Sequence, residues 1–393
     1  MALDAATRED YETFHTLAWR VVQTGPRNDV SLMYLLARAQ SLSGRAQDAL
    51  VMLRRIADMG MGAVEAETSD DFRRVRSLPG WTDVLDRIHA AAGRPPASKA
   101  PVEPMAPSAP AAVKPTPTGN AGEEVAVPAT LLRPVALDYD AVSRRFVFAD
   151  ESTETLKILD DLSGKAVNLV SRGWAGTYRT AALAIDRRRG DLWVAGSDDS
   201  SGEARSAVHR LQLVSGRLLY TIALPDEAGA ARFTDVAILG SGALVLDQRG
   251  RRIYALTSEA RTLRLHAKID DTSEPASIAP AGDTVIYIAH GKGISRLDLA
   301  AHKTTSLSAA RGINLQGMDW IREYNGSLIG IQKQTNGGHA AVRIRLNRRG
   351  NAATSLEIID PTASRVASLS GDVLYYLAPS REGGHGVRRR RLR

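Results

Sequence analysis

The chain has no cysteine, which excludes disulfides, thiolate metal sites and a cysteine nucleophile while leaving the compartment open. It also lacks any apolar run near the ~18 to 20 residues that a bilayer span needs. Its opening residues, MALDAATRED, show no basic-then-apolar leader pattern. The expectation is a soluble chain, periplasmic or secreted if a leader has been removed and cytoplasmic otherwise. No G-x-S-x-G, H-E-x-x-H or phosphate-loop pattern occurs, which removes several enzyme classes but leaves metal-assisted hydrolysis.

A basic stripe is missing as well. Of the formal charge of +7, five units sit in Arg388–Arg391 and Arg393, so the rest of the chain carries +2. A near-neutral body does not point to nucleic acid. The clusters Arg187–Arg189 and Arg251–Arg252 fall in predicted turns, where solvated charge is ordinary. Residues 381–393 read as a basic, disordered tail able to touch phosphate or an anionic surface.

What is present divides the 393 residues into more than one folded unit. Residues 94–122 form an Ala/Pro-rich stretch with almost no large apolar side chain, and nine of the seventeen prolines fall between Arg94 and Pro128. Such a segment buries too little to fold and reads as a tether. Before it, residues 1–93 have helical periodicity. DYETFHTLAWRVVQ places Tyr11, Phe14, Leu17, Ala18 and Val21 on one face, and DVSLMYLLARAQSLSGRAQDALVMLRRIADMGM makes two amphipathic helices around Gly44. A further helix carries Phe72, Val75, Leu78, Trp81 and Leu85 onto the stack.

After the tether the period becomes two. VALDYDAVSRRFVFAD (135–150), LAIDRRRGDLWVAG (183–196), VAILGSGALVLD (236–247), SIAPAGDTVIYIAH (277–290), MDWIREYNGSLIGIQ (318–332) and VASLSGDVLYYLA (366–378) share one plan: apolar strand, turn, apolar strand. Copies recur every ~40 to 50 residues, the range of propeller blades. The expected fold is a small all-α domain, a linker, and a six-bladed β-propeller over residues 123–380. EEVAVPATLLR (123–133) is expected to complete the last blade and close the ring.

Two resemblances follow from these motifs. Leu36, Ala37, Gly44, Ala49, Leu53 and Ile56 fall where a tetratricopeptide helix pair packs, so the pair resembles one such repeat. The fourth and fifth copies, with G-D-x-(I/V/L)-Y-(I/V) and G-(I/V)-x-R-(L/V)-D, resemble the propellers of the gluconolactonase and senescence-marker-protein superfamily, and more loosely NHL-repeat propellers. The form resembled is a bacterial one with a tetratricopeptide unit ahead of the propeller. The resemblance implies a divalent cation in the central channel, held by a glutamate, two asparagines and an aspartate, that activates a lactone carbonyl or a water.

In a propeller, the starts of the inner strands and the ends of the strands after them open on one face. Strand starts are expected at Arg133, Ala181, Asp235, Glu274, Gln316 and Arg365, and strand ends at Asp150, Gly196, Asp247, His290, Gln332 and Ala378. The candidate mouth is therefore Asp150, Asp235, Asp247, Glu274, His290, Gln316, Gln332 and Arg365, with Trp320 as a ligand wall. Trp174, Trp193 and Tyr287 read as blade-packing aromatics. Asp235, Asp247 and Glu274 are the candidate ligands of a calcium, zinc or manganese ion. The two asparagines have no counterpart beyond a lone Asn314, and Arg133 and Arg365 bring positive charge to the same place. Equally, acids at strand ends hold loop amides or pair with arginines, and a histidine there packs in the channel. The leading functional expectation is a binding or scaffold protein whose mouth takes a small polar ligand or a partner protein, with a helical docking unit. The alternative is a metal-dependent lactonase.

Overall fold

The computed structural model describes residues 1–26, 29–93, 124–128, 131, 133–161, 164–198, 204–240, 242–257, 262–270, 273–380 and 384–392. The expected tether lies outside them. The chain divides into a helical unit drawn from residues 1–120 and a β-sheet unit that holds most of the remainder.

In the helical unit the longer helices are α2 (Tyr11–Thr24), α3 (Val30–Leu42) and α4 (Ala46–Asp58), following the short α1 (Ala2–Thr7). The carboxylates of Asp10 and Asp29 accept amides at the starts of α2 and α3, at 3.2 and 3.0 Å, satisfying donors that a helix start leaves open. Gly44 turns α3 into α4 with φ of 81°, a left-handed value that glycine adopts without cost. Leu36, Ala37, Ala49, Leu53 and Ile56 are all fully buried, so the pair packs through the side chains expected from its periodicity. A one-turn helix, α5 (Arg73–Arg76), then leads to α6 (Trp81–Ala91), which covers this core with Trp81, Val84 and Ile88. The buried stripe of α2 differs from expectation: Phe14, His15, Ala18 and Trp19 are inside, while Val21 is exposed. The i, i+4 pairs 14/18 and 15/19 define the stripe, and the indole of Trp19 outweighs the smaller Val21.

The β unit is a six-bladed propeller. Blades 1 to 5 run in chain order, with inner strands Pro134–Asp140, Arg179–Asp186, Phe233–Leu239, Pro275–Ala281 and Met318–Tyr324, and each continues outward through three antiparallel neighbours. Blade 6 holds Ala367–Ser370, Val373–Pro379 and His385–Arg391, and its outermost strand is Glu124–Ala126 from the other end of the unit. The ring closes as expected, because Val125 pairs with Val387 and Glu124 with Arg388.

The basic end departs from the reading of it as a solvated tail. Arg388–Arg391 belong to a strand that pairs along its length with Val373–Pro379. Val387 and Leu392 are buried at its two ends, and the arginines between them meet acids. Arg388 bonds Glu124 at 3.3 Å and Asp360 of blade 5 at 3.0 Å, and Arg391 reaches Asp372 at 3.1 Å. Asp360 is buried, which raises its pKa, but hydrogen bonds from Thr362, Tyr376 and Arg388 outweigh burial and hold it at about 2.

Large side chains fill the seams between blades. Tyr139, Phe146 and Phe148 of blade 1 meet Tyr375 and Leu377 of blade 6, with Tyr139 stacked on Tyr375 at 4.5 Å. Trp193 of blade 2 is packed with Phe233 and Tyr254 of blade 3. Each blade buries its faces against its neighbours.

Candidate functional site

Inner strands line the channel, and their register decides which side chains face it. In blades 1 to 5 each inner strand slips by one residue at the same place, at Val135, Ala181, Thr234, Ala276 and Asp319. Such a bulge puts two residues opposite one and re-aims the side chains on either side of it. Two residues before the bulge stand Arg133, Arg179, Arg232, Glu274 and Gly317. Their backbone carbonyls identify the position as equivalent: Glu151 N donates to Arg133 O at 3.0 Å, Gln248 N to Arg232 O at 2.8 Å and Lys333 N to Gly317 O at 2.7 Å. In blade 6, where Ser370 faces Val373 and Ala367 faces Tyr376, Arg365 lies five residues before the hairpin, as the bulge residues do in the other blades. One ring position thus carries arginine in blades 1, 2 and 3, while Arg365 of blade 6 stands two positions further along its strand, level with the bulges.

Inside the channel two carboxylates each tie three consecutive blades. Asp235 of blade 3 accepts Ser277 Oγ at 2.6 Å and Ile278 N at 2.9 Å from blade 4, and two guanidinium nitrogens of Arg322 from blade 5, both at 2.9 Å. Its own Val236 N completes five bonds. Asp138 of blade 1 accepts Ile185 N at 2.8 Å and Arg187 at 2.6 Å from blade 2, and Ser368 Oγ from blade 6. The first set joins blades 3, 4 and 5, the second blades 6, 1 and 2, so together they span the ring. Both acids are buried, where an ion survives when paired and fully hydrogen-bonded.

The expected strand-end residues do other work. Asp150 is buried at the end of the second strand of blade 1, and accepts Arg133 N at 3.3 Å, Ser152 N at 3.1 Å and Ser152 Oγ at 2.8 Å. Asp247 does the same in blade 3, taking Arg232 N at 3.0 Å, Gly250 N at 2.9 Å and the Arg252 guanidinium at 2.8 Å. Gln332 donates to the carbonyls of Asn314 and Gln316 at 2.9 and 2.8 Å, and His290 Nε2 lies 3.0 Å from Ser295 Oγ. These side chains hold their own turns and the segment leading into the inner strand. Gln316 and Asn314 are exposed, with Asn314 Oδ1 accepting Gln316 N at 2.9 Å.

A cavity of about 660 Å³ occupies the channel. Of the expected mouth residues, Asp235, Trp320 and Arg365 line it, whereas Asp150, Asp247, Glu274, His290, Gln316 and Gln332 do not. Sequence reading missed Asp138, Arg179, Arg187, Arg232, Gln248, Asp319 and Arg322, all of which line it. The arginine near the start of four inner strands was the available signal, visible in RPVAL, RTAAL, RFTDV and RVASL. The aromatics divide: Trp193 is buried between blades, Tyr287 donates to Gly350 O at 2.7 Å, Trp174 lies edge-on to His209, and Trp320 forms cavity wall with the Arg322 guanidinium 5.0 Å from its ring.

The three candidate metal ligands are not brought together. Asp235 is held in the channel by Arg322, Asp247 is enclosed in its own turn with Arg252, and Glu274 is exposed and outside the cavity lining. Among the described residues no group of three His, Asp or Glu side chains could hold a metal ion. The donor set does not fit a hard cation, because the buried carboxylate oxygens already accept several hydrogen bonds each and face guanidinium.

No family model matches the chain and no curated protein matches it. Solved structures match over about two thirds of the chain. A putative gluconolactonase is 12% identical, with 70% of this chain and 95% of that one covered at a TM-score of 0.46. A putative oxidoreductase (glucose dehydrogenase) from Thermus thermophilus is 16% identical over 69% and 99%, at 0.47. A calcium-binding protein, regucalcin, from Agrobacterium tumefaciens is 15% identical over 67% and 92%, at 0.46. Among the described residues no helix is long and apolar enough to cross a membrane.

Proposed function

We propose that the propeller is a binding module that takes a small polar ligand at the channel mouth on the face where the inner strands begin. The observation that carries this reading is the cavity itself. Its volume of about 660 Å³ falls in the range of small-molecule sites. Polar side chains from several blades converge on it: Arg179 and Ser197 from blade 2, Arg232 and Gln248 from blade 3, Asp319 from blade 5, Arg365 from blade 6. A partner protein would need a broad exposed face, whereas these groups surround a concavity.

The test is a thermal-shift screen of the full chain against small sugars, polyols, organic acids and amines, repeated on Ala181→Trp, which fills the mouth from the bulge of blade 2. The expected outcome is a melting increase for one polar class that the tryptophan abolishes. A shift that survives the tryptophan would place binding elsewhere and sink the proposal. The hydrolase alternative is checked on the same protein with lactone and ester substrates. Turnover lost in Asp235→Asn, with the fold retained, would replace a binding role by a catalytic one.

A further inference from the structure

We infer that the ligand of this mouth is an anion with at least two oxygen-rich charged groups, such as a di- or tricarboxylate or a phosphate ester, gripped by Arg179, Arg232 and Arg365. This rests on the mouth being a binding site and adds the chemistry of what it binds. Arg179 and Arg232 occupy one ring position of the inner strands, Arg365 stands two positions along in blade 6, and all three are exposed and line the same cavity. Among the described residues no carboxylate pairs with any of them. Arg133, which holds the ring position in blade 1, is different: it pairs with Glu151 at 3.0 Å and is not part of the lining.

The acids that could have neutralised the three are engaged. Glu151 is held by Arg133. Asp319 bonds His339 Nε2 at 2.9 Å. Glu323 accepts Gly326 N in its own hairpin turn at 2.7 Å. Deeper in, Asp138 and Asp235 are matched by Arg187 and Arg322. The interior pairs are charge-balanced; of the five arginines and five acids that line the cavity, Arg179, Arg232 and Arg365 are the cations with no carboxylate partner among the described residues. Three guanidinium groups sharing one cavity repel one another, and an anion relieves that repulsion. A guanidinium presents a planar fork of donors that matches carboxylate and phosphate oxygens two at a time. Blades 2 and 3 are neighbours, while blade 6 approaches from beyond blade 1. Donors on two sides of the opening suit a ligand charged at both ends better than a single carboxylate.

The experiment is calorimetric titration of the full chain at low ionic strength with tricarballylate, succinate and glycerol 3-phosphate, and with succinamide and glycerol as neutral counterparts. The expected result is binding of the anions, with the dissociation constant rising as sodium chloride is added. Each Arg→Gln change at 179, 232 or 365 is expected to weaken binding by about ten-fold or more, as loss of a charge-assisted hydrogen bond does. Arg→Lys, which keeps the charge but not the fork, is expected to recover part of the loss. The balance between tricarballylate and glycerol 3-phosphate separates carboxylate from phosphate as the preferred group. Neutral compounds that bind as well as the anions, and equally to the glutamine variants, would overturn the anion inference and leave the mouth as a site. If neither set binds at millimolar concentration, both the inference and the reading it rests on fall.

Discussion

Arginine is used in opposite ways by the channel wall and the channel mouth. Within the wall, Arg322 and Arg187 are each matched to one buried carboxylate that also collects serine hydroxyls and backbone amides from adjacent blades. At the mouth, Arg179, Arg232 and Arg365 have no carboxylate partner among the described residues and face solvent and cavity. The difference teaches where charge is structural and where it is left for something else. A buried ion without its partner destabilises by several kcal/mol, so wall pairs are closed systems. An exposed guanidinium contributes little to stability, so leaving it unmatched costs the fold almost nothing.

The largest expected effect is at Asp235. Its loss in Asp235→Ala strands Arg322 and removes the acceptor that joins blades 3, 4 and 5. Unfolding in guanidinium chloride should show a loss of about 3–5 kcal/mol. The double change Asp235→Ala with Arg322→Met should recover much of that, since no lone charge remains. A single variant costing less than about 1 kcal/mol would dissolve the contrast between wall and mouth. Asp138→Ala should cost less, about 2 kcal/mol, because Arg187 can turn to solvent with a third of its side chain already exposed.

Acid should act first on the buried histidines His209 and His15 and then on Asp360, none of which lines the cavity. Burial lowers the pKa of His209 from 6.5 to about 4, so the unfolded chain takes up a proton first. Its contribution to stability is complete above pH 6.5 and lost as pH falls towards 4. Asp360, held at about 2 against an ordinary 3.8, contributes fully above pH 4 and loses that contribution as pH falls through 2. Melting temperature against pH should therefore fall in two steps, the upper one reduced in His209→Asn and reduced further when His15→Asn is added, since burial lowers the pKa of His15 too, and the lower one absent in Asp360→Asn. A single step unchanged by any of these variants would contradict the assignments. The smallest expected effect on stability is at the mouth. Arg179→Gln, Arg232→Gln and Arg365→Gln should each stay within about 0.5 kcal/mol of the parent in the same denaturation experiment.

The architecture was legible because blade formation depends on short-range pattern: two apolar strands and a turn, repeated six times, with Glu124–Ala126 expected and found in the closing blade. The basic C-terminal strand was not legible, since consecutive arginines hide the alternation. What places it there is pairing with Val373–Pro379 and acids from distant positions such as Glu124 and Asp360. The site was legible only in part. Asp235, Trp320 and Arg365 were identified, yet the bulges moved the mouth position in blades 2 and 3 to Arg179 and Arg232, two and three residues before the expected Ala181 and Asp235. Asp150 and Asp247 were placed at strand ends correctly, but a strand-end carboxylate has nearby amides to satisfy. In both blades it accepts the amide of the ring arginine and the amides of its own turn.

One measurement tests the division of labour directly. The triple variant Arg179→Gln, Arg232→Gln, Arg365→Gln should be melted beside the parent, with and without tricarballylate. The account predicts equal melting temperatures without the anion, and an anion-induced rise in the parent that the variant lacks. A variant that melts well below the parent, or that keeps the full rise, would show that these arginines serve the fold or that the anion binds elsewhere, and would contradict the account.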